Sequence, residues 1–411
     1  MKVAVFTETY HQLNGVGRTY QNMVDYARRK GYELDVYVPG NGSVEEMGSA
    51  TIYNIPVEAG IEYYPDLIYD AAAVPRFVFK QLPEIIEKNF SEKEYDIAQI
   101  GTPGSIGLFA LLAAKKFYVP LVGSYHTQVP NYARARVDLI MNNPNGVLRT
   151  IPDLAMEATW LTEKFFYGNT VFNMAPTKMI CSEIETRFNR PTRVFRRGVD
   201  TKRFHPANGR RPDVPTVLFV SRIAVEKNIE MLTGFKEDLP YARLVVVGDG
   251  PDRKRMEKLI PEAEYRGFLT GKPLEEAFAS AHVFVFPSVT ETYGNVVQEA
   301  MASGLPVVVD ASGPTSELVE NGICGFHYKS RSEMFRQLDL LLKNMELNHR
   351  MSKAARSAME KRTWDSVFES AYEGYEMAVN MHSDRPKSIG QRWKSRMEEL
   401  FGPYTKQMQQ T

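Results

Sequence analysis

Cysteine is nearly absent from this chain of 411 residues: Cys181 and Cys324 are its only two, one in each half. So few thiols exclude a disulfide framework and fit a reducing compartment, with both sulfurs filling core. Net charge is missing as well, since 50 basic residues balance 50 acidic ones. That balance gives no global attraction to nucleic acid, so no nucleic-acid partner is expected, and an anionic partner would need a local patch. No apolar run is long enough to span a bilayer, the longest lying around residues 107–114. The opening residues, MKVAVFTETY, turn polar too early for a signal peptide and read as a buried first strand. A cytoplasmic protein is expected, at most peripheral on the inner face of the cell membrane. Asp-x-Asp, HExxH and clustered Cys/His are absent too, so neither a metal nor another cofactor is expected.

What is present is a repeated α/β grammar. Residues 3–7, 34–38, 96–101 and 121–124 read as near-continuous apolar strands, with amphipathic helices at 18–30 and 104–117. Such strands belong to a parallel sheet covered on both faces. The grammar restarts at Thr216 with TVLFVS, a helix at 228–236, RLVVVG, a helix at 252–260, HVFVFPS and LPVVVD. Between the halves lies GVDTKRFHPANGRRPDVPT, rich in proline, glycine and basic residues, which reads as a linker. The expected organisation is therefore two doubly wound domains, 1–200 and 201–363. A C-terminal part, 364–411, follows: a helix to about Met381 and a polar tail. The carboxyl ends of two such sheets meet at a shared cleft.

Four loops are placed to face that cleft. In NGVGRTY, Gly15 and Gly17 allow the backbone close to a phosphate, and a helix opening at Arg18 would aim free N–H groups at an anion. The same glycines also fit a plain turn. A dinucleotide fingerprint would need a third glycine where Tyr20 stands, so Glu33 and Asp35 do not make an NAD site. In VSRIAVEKN, Arg222 ends a strand and Lys227 starts the next helix, a planar fork and a point charge that fit a diphosphate or a solvated loop equally. His126 follows a strand in SYHTQVPNY, where it either hydrogen-bonds a sugar, places its carbonyl near a developing cation, or is a structural histidine. Finally, TETYGNVVQEAMASG holds Glu291 in a loop and Glu299 eight residues later in a helix running from Asn295 to Ser303. Eight helical residues span about 12 Å, more than the roughly 5 Å between the paired carboxylates of retaining glycosidases. The separation suits two parts of one elongated ligand, with the amides of Tyr293, Gly294, Asn295 and Val296 between them. Alternatively, the segment is an acidic helix start with a solvent-facing Glu299.

Together, Gly15/Gly17, His126, Arg222 with Lys227, and Glu291-x7-Glu299 resemble the retaining GT-B glycosyltransferases of family 4, as do RRGVDTKRFHP and VVVGDGP. The resemblance covers most of residues 1–380 and implies a nucleoside diphosphate sugar donor. By it, Arg222 and Lys227 would bind the diphosphate, Glu299 the ribose, and Glu291 with the amides after it the sugar. Gly15 and Gly17 would meet the phosphates, His126 the sugar near its 6-position, and backbone near 266–269 the base. The helix after Trp364 would cross back to the first domain. Ser221, Asn14 and Tyr293 depart from common family residues without removing a charge.

Within the family, NGVGRTY, SYHTQVPNY and RRGVD look closest to members that glycosylate lipids, which implies a hydroxyl acceptor on a lipid or glycolipid. The aromatic stretch 131–167, with Trp160, Phe165, Phe166 and Tyr167, reads either as an acceptor or membrane-facing surface or as a helix packed on the first domain. Arg187, Arg190, Arg193, Arg196 and Arg197 are expected to form a basic patch, either for anionic headgroups or as a solvated edge.

Overall fold

The central strands of both sheets are short and mostly apolar, and in the computed structural model they are buried on both faces. The structure describes residues 1–12, 14–56, 82–141, 148 and 150–383. The first sheet comprises β1 (Lys2–Phe6), β2 (Glu33–Gly40), β3 (Val44–Met47), β4 (Ala50–Pro56), β5 (Ile97–Ile100), β6 (Leu121–Ser124), β7 (Asn173–Ala175) and β8 (Thr192–Val194). Their spatial order is β3-β4-β2-β1-β5-β6-β7-β8, and only β3 runs antiparallel to its neighbour. The second sheet comprises β9 (Thr216–Val220), β10 (Arg243–Val247), β11 (Glu264–Tyr265), β12 (Val283–Phe286), β13 (Val307–Asp310) and β14 (Gly325–Tyr328), ordered β11-β10-β9-β12-β13-β14 and parallel throughout. Two doubly wound α/β units result, the GT-B architecture.

Strand order reverses between β1 and β5 in one sheet and between β9 and β12 in the other. Loops leaving the carboxyl ends diverge at such points and open a crevice. Three apolar clusters hold the units together, one around the second sheet and one on each face of the first. The Trp364–Ser383 helix belongs to the first sheet by packing: Val367, Phe368, Ala371, Tyr372, Tyr375 and Ala378 sit in one cluster with Val3, Val5 and Val24. The pairs Arg29–Asp365 and Lys30–Glu369 flank that seam.

Several expected elements change. The first helix opens at Gly15 rather than Arg18, because the Asn14 side chain caps it. No continuous helix fills 228–236; instead come single turns at Val225–Lys227 and Ile229–Leu232 and a short helix Phe235–Asp238. Asn228 (φ 57°) and Gly234 (φ 75°) both adopt left-handed backbone, which breaks a right-handed helix. The expected arginine patch is dispersed: Arg187 pairs with Glu157 and lies over Trp160, Arg193 pairs with Glu373, and Arg197 is buried. The 131–167 stretch forms helices Val129–Ile140 and Thr150–Tyr167, and Trp160, Phe166 and Tyr167 of the second are core. The polar tail, beyond Ser383, lies outside the described residues, as do 142–147 and 149 of that stretch.

Candidate active site

The wall built by the second sheet begins at β9. Arg222 stands exposed at its carboxyl end, and the turn that follows brings Lys227 back inward, where its side chain is only 9% exposed. Two glycines of VVVGDGP make this loop possible. A Cβ at Gly248 would lie 1.8 Å from the Ser221 carbonyl oxygen, and one at Gly250 would lie 2.3 Å from that of Ile223. Bonds from Ile223 N to Asp249 O (2.9 Å) and from Asp252 N to Ile223 O (3.1 Å) lock the close approach. Phe268 projects 73% exposed from the loop after β11.

The loop after β12 is fastened to the same turn. Ser288 and Thr290 both donate to the Glu226 carbonyl, at 3.2 and 3.1 Å, and Lys227 Nζ meets Glu291 Oε1 at 2.5 Å. Gly294 then enters the Asn295–Ala302 helix at φ 92°, where a Cβ would strike Thr315 Cγ2 at 2.6 Å. As first-turn residues, Asn295 and Val296 have no intrahelical acceptor for their N–H groups. The Tyr293 ring turns away into core, 2% exposed, and its hydroxyl donates to the Arg197 carbonyl at 3.2 Å, so its side chain is not available to a ligand.

Glu299 is not solvent-facing. It is 8% exposed, and burial pushes its carboxyl up to about 7, against the opposing pull of Arg18 and Arg203. Arg18, from the first domain, reaches its Oε1 at 3.3 Å. Gly15, Arg18, Asn22, Arg203, Asn295 and Glu299 line a cavity of ≈ 240 Å³ between the domains.

The first domain supplies the other wall. Asn14 Oδ1 accepts from Val16 N and Gly17 N, at 3.0 and 2.8 Å. The helix start expected to present free amides therefore has two of them already engaged. Gly17 is needed for packing, since its Cβ would lie 2.4 Å from the Thr9 carbonyl oxygen. A Cβ on Gly15 would instead touch the opposite wall, 2.3 Å from Asn295 Nδ2 and 2.9 Å from Arg197 Nη1.

His126, just past β6, is buried in a polar chain. Arg197 Nη2 lies 3.4 Å from its Nδ1, and its Nε2 lies 2.8 Å from the Tyr20 hydroxyl. A guanidinium only donates, so Nδ1 accepts and the ring proton sits on Nε2, pointing to Tyr20. Burial and the Arg197 charge hold the imidazole pKa well below its usual value, so the ring is neutral. Gln99 donates to Tyr20 at 3.2 Å, and Tyr375 of the C-terminal helix donates to Gln99 Oε1. The His126 carbonyl accepts from Thr292 Oγ1 at 2.7 Å, joining it to the Glu291 loop.

The structure thus puts Gly15, Asn295 and Glu299 around one cavity, pairs Lys227 with Glu291, ties the Glu291 loop to His126 through Thr292, and leaves Arg222 exposed just past β9. Arg18 and Tyr20, both within NGVGRTY, join the site without having been expected in it, and Arg197 lies inside the protein rather than in a surface patch. Among the described residues no group of three or more His, Cys, Asp or Glu is arranged to hold a metal ion.

Residues 13–203 match the family described as Glycosyltransferase Family 4, and residues 200–358 match Glycosyl transferases group 1. A sulfoquinovosyl transferase of Arabidopsis thaliana is 30% identical over 387 residues, spanning 88% of this chain and 71% of the relative. The chain belongs to glycosyltransferase family 4. The enzyme is also 29% identical over 390 residues to a GDP-mannose-dependent alpha-mannosyltransferase of Mycobacterium tuberculosis, covering 92% of this chain and 96% of that one. An alpha-monoglucosyldiacylglycerol synthase of Acholeplasma laidlawii is 25% identical, covering 86% and 92%. In fold, the enzyme resembles sucrose-phosphate synthase of Thermosynechococcus elongatus, with a TM-score of 0.70 at 18% identity over 92% of this chain and 98% of that one. It transfers a sugar from a nucleotide sugar to an acceptor. No helix among the described residues is long and apolar enough to cross a membrane.

Proposed function

We propose that the enzyme moves a hexose from GDP-mannose or a UDP-hexose to a lipid or glycolipid hydroxyl, with retention at the anomeric carbon and without a metal. The observation that carries this reading is the Lys227–Glu291 pair, held where the β9 and β12 loops meet, with Thr292, next to Glu291, bonded to the His126 carbonyl of the first domain. Glu291 keeps Lys227 neutralised until a diphosphate arrives. Lys227 and Arg222 then take the phosphate charge, the Asn295–Ala302 helix start adds its dipole, and Glu291 is released to accept from sugar hydroxyls. Glu299 accepts from the ribose once Arg18 moves aside.

The bond from the anomeric carbon to the leaving phosphate oxygen breaks as the sugar becomes oxocarbenium-like. The acceptor oxygen bonds the same face, and the departing phosphate oxygen takes its proton. No other residue is assigned as nucleophile. The relatives named for GDP-mannose and for a glucosyldiacylglycerol support the donor and acceptor classes. Their alpha products match the anomer of the common nucleotide hexoses and support retention. Proton NMR of the product tests the stereochemistry, with an α anomer expected from an α donor and a β anomer contradicting it. Turnover unchanged by EDTA is expected; loss restored by added Mg²⁺ would contradict the metal-free route.

A further inference from the structure

Arg197 is 4% exposed, yet no carboxylate among the described residues pairs with it. Its Nε has no hydrogen-bond partner there, and Nη2 makes only the long contact to the neutral His126 ring. A buried guanidinium stays charged, and a buried charge without a counter-ion is a standing destabilisation that cores do not retain by chance. The neighbouring wall carries a second orphan, Asn295 Oδ1, buried without a donor. Both side chains converge on Gly15, where a Cβ would intrude between them. Glu291, an acid whose charge acts on Arg197 through space, is already engaged by Lys227.

We infer that Arg197 is a third oxyanion-binding cation of the cleft, neutralised by the distal phosphate of the donor, with Asn295 Oδ1 accepting from a hydroxyl of the same ligand. This rests on the nucleotide-sugar reading above and adds to it a residue on the far wall. Arg222 and Lys227 grip the diphosphate from the second domain, whereas Arg197 closes on it from beside His126. Donor binding would then add a charge link to the contacts that already join the two walls. An acidic group on the transferred sugar would meet the same cation, so the test separates the two sources.

Affinities for nucleoside diphosphate and monophosphate should be measured by calorimetry for wild type, Arg197→Met and Arg197→Lys, along with Tm. For Arg197→Met the expected result is a ten-fold or greater loss of diphosphate affinity and unchanged monophosphate affinity. Its Tm should equal or exceed that of wild type, because an unpaired buried charge has gone. Arg197→Lys should recover part of the diphosphate affinity. Unchanged diphosphate affinity with a lowered Tm would make Arg197 structural and overturn the inference. A loss confined to uronate or sulfonate sugar donors would overturn the phosphate assignment in favour of the sugar acid. If wild type itself binds no nucleoside diphosphate, the nucleotide-sugar reading falls first.

Discussion

At the scale of single residues the site is a set of charges held in the wrong medium for them. Lys227 is nearly buried against Glu291, and removing its ammonium should leave the fold in place while stripping the leaving group of its counter-charge. Lys227→Ala is expected to lower kcat by about 10²–10³, the range for losing one preorganised donor, with near-wild-type circular dichroism; unchanged turnover would remove Lys227 from the mechanism. Glu299 makes a pH-dependent prediction. Its folded pKa of about 7 exceeds the unfolded value of about 4.3. Between those values the folded protein keeps a proton that the unfolded chain has released, so stability falls as pH rises through the window. Glu299→Gln should therefore gain Tm over wild type as pH goes from 5 to 8, by calorimetry, while losing donor affinity; the lost Arg18 contact is half-exposed and weighs little. A Tm gap independent of pH would contradict the assignment. The carboxylates and the Arg222/Lys227 pair were legible in sequence because each sits in a compact motif. Arg18 and Arg197 were not, because their roles depend on an opposite wall hundreds of residues or a domain away.

At the scale of elements, the site depends on turns that only particular backbones can make. Gly294→Ala forces a side chain into left-handed backbone, which costs about 1–2 kcal/mol, and presses it on Thr315. Urea unfolding should show that loss, and turnover should fall further because the Asn295–Ala302 helix start is displaced. Wild-type turnover in a destabilised variant would mean that the helix start does not bind substrate. Strands such as VFVF and VVVD were readable because continuous apolar runs signal burial on both faces. β7 and β8 are three residues long, and β7 carries the buried polar Asn173, so neither gives a period to read. The helix expected at 228–236 failed because Asn228 and Gly234 both take left-handed backbone, and Asn228 is a residue that fits helical or left-handed backbone alike.

At the scale of the whole molecule, both walls are already in contact. Glu317 of the second unit accepts from Lys178 N and Met179 N at the start of a helix in the first, at 2.8 and 2.7 Å. Thr292 bonds the His126 carbonyl, and Gln298 bonds that of Gly198 at 3.0 Å. Any opening of the cleft would part some of these bonds. Glu317→Ala is expected to enlarge the nucleotide-free protein in small-angle X-ray scattering, with saturating nucleotide restoring the wild-type dimensions; an unchanged profile would show that Glu317 does not hold the units closed. The two-unit architecture was visible in the sequence as grammar that stops and restarts. The closed arrangement was not, because it rests on bonds between residues remote in sequence.

The most direct test of the central claim is nucleotide release from a panel of UDP-, GDP- and ADP-sugars, measured with and without a total lipid extract. Release from one donor that rises with lipid is the predicted result. Release indifferent to every acceptor, as an epimerase or hydrolase would show, or tight binding without release, as a sensor would show, would contradict the account.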